Sequence, residues 1–109
     1  LTAMASAVTM HAAHTSLPTA SASRYLQQLC KHWAHKFPVE FTAERGEIPF
    51  AADRRCRLLA TPAAILIGVE ALDESDLPRL QQVVLEHLKR FAFREEFGDA
   101  AWQAGPLPA

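Results

Sequence analysis

From Ala22 onward, apolar residues return at intervals of four, three and four: Ala22, Leu26, Leu29 and Trp33. That rhythm is the period of an α-helix with one face turned to a core. "TASAS", residues 19–23, offers several side chains able to cap its start. Pro38 ends it, because proline disfavours the helical region for the residue before it. Four shorter stretches then read as strands. "VEFT" (39–42) and "EIPFA" (47–51) are joined through Gly46. Pro49 lacks an N–H, which predicts an edge strand or a bulge there. "RRCRLLA" (54–60) alternates, with Cys56, Leu58 and Ala60 on one side and Arg55 and Arg57 on the other. "AAILIGVEA" (63–71) is the most apolar run and predicts a central strand. Helical spacing resumes at Leu77, Leu80, Val84, Leu88 and Phe91, with Ser75 as the expected N-cap and Pro78 in the first turn. "DAAWQ" (99–103) could return as a last strand. The order predicts an α+β two-layer sandwich: a mainly antiparallel sheet with two helices packed on one face.

The ends of the chain carry weaker patterns. "LTAMASAVTMHAAHTS", residues 1–16, has no basic leader and no sustained apolar run, so it does not read as a signal peptide. It shows no clear strand alternation either and is expected to be a disordered N-terminal tail, with "SLPT" (16–19) at most a short edge strand. One domain is expected over residues 17–103, with 104–109 as a C-terminal tail. A chain of 109 residues is one domain by length. A net charge of -1 with acids and bases interspersed offers no field to hold nucleic acid or an anionic membrane. No run of about 18 apolar residues is present to span a bilayer. Two cysteines are too few for a disulfide scaffold and suggest a reduced, cytoplasmic protein.

The densest chemistry lies in "LCKHWAHKF", residues 29–37. At roughly 100° per residue, Cys30 and His32 point about 200° apart and cannot share a metal within one helix. His32 and His35 can, on the flank that runs through Tyr25 and Gln28. A zinc site wants three or four ligands, and His87, close to the buried stripe of the second helix, is the best further candidate. If the two helices are neighbours, His32 and His87 meet between them. The plainer account makes them boundary histidines that hydrogen-bond a carbonyl or carboxylate. Cys30 and Cys56 read as packed thiols, and Glu44, Glu47, Glu95 and Glu96 as solvated charges. Arg54, Arg55, Arg57, Arg90 and Arg94 read as a partly paired surface, and Phe91, Phe93, Phe97 and Trp102 as core closing the sandwich. No Gly-rich phosphate loop is present.

Taken together, "SASRYLQQLCKHWAHKFPVEF", the strand around "IPF", and "LPRLQQVVLEHLKRFAFREE" resemble the bacterial family known as domain of unknown function 2218, over Leu17 to Gln103. The resemblance implies a compact α/β domain of unassigned activity. It also implies an association with siderophore-interacting, flavin-dependent ferric reductases, and hence with iron and siderophore handling. The family pattern matches Arg24, Tyr25, His32, His35 and His87, which become candidate ligand-binding residues. The chain departs from that pattern around "HAAHTSLPT" and in "ADRRCRLLATPAAI", which lacks the usual acidic, glycine-bearing turns. Three functions are therefore expected in order: a non-catalytic accessory or ligand-binding domain, with a homodimer and a siderophore-interacting reductase as possible partners; a metal or haem site built from His32, His35 and His87; or a small enzyme with a histidine general base.

Overall fold

A six-stranded antiparallel sheet with two helices on one face organises the computed structural model, which describes residues 10–108. The elements in chain order are β1 (His11–Pro18), α1 (Ala22–Trp33), β2 (Glu40–Phe41), β3 (Arg45–Ala51), β4 (Arg54–Ala60), β5 (Ala64–Ala71), a 3₁₀ turn (Glu74–Asp76), α2 (Leu77–Phe91) and β6 (Gln103–Ala104). The strand order is β2-β3-β4-β5-β1-β6. The expected α+β sandwich is what forms.

Both helices bury the stripe that their spacing predicts. Leu26 and Leu29 of α1 are fully enclosed, as are Val84 and Leu88 of α2. Helix α1 lies over β3, β4 and β5, and α2 lies over β5 and β1, so the two run side by side. Ile65, Ile67, Val69 and Ala71 of β5 face them with no exposed surface. Each of the larger ones, Ile65, Ile67 and Val69, contributes about 1.5–3 kcal/mol relative to an exposed side chain. Pro49 sits where the β3–β4 register shifts, the bulge that its missing N–H predicts.

Several boundaries differ from the sequence reading. Residues 11–16, expected in a tail, are most of β1, which lies inside the sheet between β5 and β6. Its alternation is real but muted: Ala13, Thr15 and Leu17 are the buried positions, and only one of them is large. Residues 1–9 of the expected tail lie outside the described residues. At the second helix, Ser75 is not the cap. Asp73 accepts the Ser75 amide at 3.0 Å and starts the 3₁₀ turn that leads into α2. The expected C-terminal tail is also tied down, since the Gly105 amide donates to Ala12 O at 2.9 Å.

Candidate functional site

Helix α1 ends in His32 and Trp33, and the turn after it carries His35, Lys36 and Phe37. Because α2 lies alongside, His87, three turns into that helix, comes opposite this end. The His32 and His87 rings are 5.2 Å apart between centroids. Trp33 touches both, at 6.0 Å from His32 and 4.8 Å from His87. From the sheet, Phe50 of β3 meets Trp33 edge-on at 5.1 Å and Phe37 edge-on at 5.2 Å. Such edge-to-face pairs fix ring orientations as well as burying area. The result is a cleft of ≈ 430 Å³ walled by aromatic rings, three imidazoles, Lys36 and Val83. That volume lies at the size of a small-molecule site.

The imidazoles differ in their surroundings. His87 is half-buried, and its Nδ1 lies 2.7 Å from Val83 O. A carbonyl can only accept, so Nδ1 carries the proton. In the neutral ring Nε2 is then left as the free acceptor. His32 is exposed, and its pKa is lowered below the ordinary 6.5, first by partial desolvation and then by electrostatic repulsion from its neighbours, Arg90 among them. His35 lines the same cleft and is exposed. The three rings do not form a ligand set. Among the described residues, no three His, Cys, Asp or Glu side chains converge as metal ligands would.

Arg24 and Tyr25 are placed elsewhere. Tyr25 and His32 are seven positions apart on the helix, about 10 Å along the axis. The Arg24 guanidinium stands 5.3 Å over the Tyr25 ring, and the Tyr25 hydroxyl donates to Glu95. Glu95 also accepts from Thr19 Oγ1 at 3.0 Å. It is thus a latch between the start of α1 and the segment after α2, and not the solvated charge that its position in the sequence suggests. Tyr25 is buried and structural in this arrangement.

Elsewhere the pattern is mixed. Burial raises the Cys30 thiol to about 11, and burial with the nearby Cys30 and Glu70 raises Cys56 further, so both thiols stay protonated and packed. The arginines are partly paired: Arg55 lies 2.6 Å from the buried Glu70, and Arg54 lies 3.3 Å from Asp53. Phe91, Phe97 and Trp102 pack against the core as expected, but Phe93 is 74% exposed. No helix among the described residues is long and apolar enough to cross a membrane. A second and slightly larger concavity, ≈ 500 Å³, lies against β2, β3 and β4 and contains no imidazole.

Sequence reasoning found the histidines and the stretch that holds Trp33, Lys36 and Phe37, but not the two walls that come from other elements, Phe50 and Val83. Phe50 was legible only as a strand residue and Val83 only as a position on a helix. Their meeting with Trp33 and His87 is a product of how the helices lie on the sheet.

Comparison with known proteins yields a family and one solved structure. The family described as "Uncharacterized protein conserved in bacteria (DUF2218)" matches residues 14–103. The NMR structure of PA4090 from Pseudomonas aeruginosa is similar over 86% of this chain and 96% of that one, at 46% identity and a TM-score of 0.73. No curated protein matches.

Proposed function

The chain belongs to the uncharacterised bacterial family DUF2218, and we propose that it is a non-catalytic ligand-binding domain whose site is the cleft between the end of α1 and α2. The carrying observation is the convergence of His32 and His87, 5.2 Å apart, beside the Trp33 face. A planar aromatic ligand stacks on such rings, acidic oxygens on it meet the Lys36 ammonium, and a hydroxyl on it can donate to the free Nε2 of His87. Among the described residues, the lining holds neither a carboxylate to orient a histidine base nor a hydroxyl or thiol nucleophile, which favours binding over turnover. The link to iron and siderophores implied by the family resemblance makes catecholates and hydroxybenzoates the first ligands to try. A siderophore-interacting reductase is then the cytoplasmic partner, and a homodimer the assembly, to look for. Calorimetric titration with 2,3-dihydroxybenzoate tests the reading. Saturable binding that His87→Ala and Lys36→Ala each weaken at least about tenfold, or 1.4 kcal/mol, supports it. Absence of binding up to millimolar ligand rejects it for this class.

A second reading has one specific observation behind it. A histidine that binds a metal through Nε2 commonly gives its Nδ1 proton to a backbone carbonyl, and His87 does so to Val83. In this reading His32 and His87 would hold a divalent transition metal, with the remaining positions filled by an outside ligand. Titration of tag-free protein with Zn²⁺ and Ni²⁺ separates the two readings. Metal binding lost in both His32→Ala and His87→Ala favours the metal; unchanged metal content in those variants removes it.

A further inference from the structure

The face of the sheet turned away from the helices carries a second site. Glu47, Arg57, Gly68 and His14 stand in one row across β3, β4, β5 and β1. Gly68 leaves a gap in that row, and Leu107 fills it: a Cβ on Gly68 would lie 2.7 Å from Leu107 Cγ. The C-terminal segment is fastened there by the Gly105 amide to Ala12 O, 2.9 Å, and by His14 Nδ1 to Gly105 O, 2.9 Å. Between this segment and strands β2 to β4 lies the ≈ 500 Å³ concavity, with Leu59, Leu107 and Phe41 supplying apolar surface and Arg45 and Arg57 supplying charge.

One buried polar group of this groove is not satisfied from within. Arg57 Nε is buried and makes no hydrogen bond. Glu47 lies 3.3 Å from it as an ion pair without a hydrogen bond. Glu70 is 3.8 Å from the other end of the Arg57 guanidinium and is bound much closer, at 2.6 Å, by Arg55. Arg45 forms no ion pair among the described residues. A buried donor without an acceptor is costly, and a guanidinium binds a carboxylate through two parallel hydrogen bonds. We infer that this groove binds a carboxylate borne on a short aliphatic chain, its head on Arg57 and Arg45 and its tail along Leu59 and Leu107. Glu40 and Glu47 line the groove too. They keep its overall charge near neutral, so the head competes with Glu47 for Arg57 and simple inorganic anions are poor ligands.

Amide-resolved NMR titration of the full chain with sodium octanoate tests this, with octanol and octylamine as matched probes. The expected result is saturable shifts at Gly46, Leu59 and Leu107, octanoate binding at least tenfold tighter than either analogue, and about tenfold weakening in Arg45→Gln and in Arg57→Gln. Because Arg57 also pairs with Glu70, Arg45→Gln is the deciding variant if Arg57→Gln is poorly folded. Octanol binding as tightly as octanoate, shifts confined to the histidine cleft, or an unchanged affinity in Arg45→Gln overturns the inference. Displacement of octanoate by 2,3-dihydroxybenzoate also overturns it, since the two sites would then not be separate. Failure of the histidine cleft to bind aromatic acids leaves these outcomes unaffected.

Discussion

Gly46 and Cys30 show how closely single atoms are specified. A Cβ at position 46 would stand 2.6 Å from Cys30 Sγ, and that thiol is itself fully buried against α1's neighbours. Gly46→Ala should therefore destabilise by about 1–3 kcal/mol through overpacking. Trimming the thiol in Gly46→Ala/Cys30→Ala should recover part of that loss, with a coupling of about 0.5–3 kcal/mol. Urea denaturation of the four proteins in the cycle measures it, and strictly additive effects would show that the two atoms do not meet. His32 makes a different prediction. Its folded pKa lies below 6.5, so the unfolded chain binds more protons, and its contribution to stability falls as pH drops through 6.5. The loss levels off below the depressed pKa. His32→Gln should flatten this part of the stability–pH curve, which denaturation midpoints between pH 7 and 5 would reveal. An unaltered slope would place the proton elsewhere.

At the level of elements, the two helices and the segment after β6 divide the work. Helix α1 is held by its stripe, and Leu29, with no exposed surface, should cost about 2–5 kcal/mol when cut to alanine. The C-terminal segment is held more lightly. Gly68→Ala would push Leu107 off the sheet while changing global stability by less than about 1 kcal/mol, because the obstructed atom belongs to a side chain that can swing away. Faster hydrogen exchange at Gly105, without a lower unfolding midpoint, is the expected signature; a large fall in the midpoint would mean that the strap carries the fold. The helices, β4 and β5 were legible in the sequence because their large apolar residues keep a strict period. Strand β1 was not, because Ala13 and Thr15 bury little, and its place inside the sheet comes from pairing with β5, some fifty residues away. The Asp73 cap escaped notice because a 3₁₀ turn shifts the start of the helix past Ser75. The histidine pair could be reasoned out from two helix faces. The aromatic walls could not, since Phe50 reaches Trp33 only after β3 is placed under α1.

Across the whole molecule, one layer of helices leaves the sheet with two unlike surfaces. The helical side closes a core and ends in a cleft of imidazoles and aromatic rings. The opposite side carries ion pairs, a tethered segment and a groove with an unsatisfied guanidinium donor. A domain of this size buries only a modest share of its surface, so binding at either place should raise the unfolding midpoint by mass action. The central claim is that the cleft between the helices is where a ligand binds, and it can be read at the rings themselves. Imidazole-resolved NMR during titration with 2,3-dihydroxybenzoate at pH 7 is the most direct measurement. The His32 and His87 resonances should move together and saturate at one stoichiometric equivalent, with the Trp33 indole signal shifting in step. Fixed histidine signals alongside ligand-induced shifts elsewhere in the chain would contradict the account.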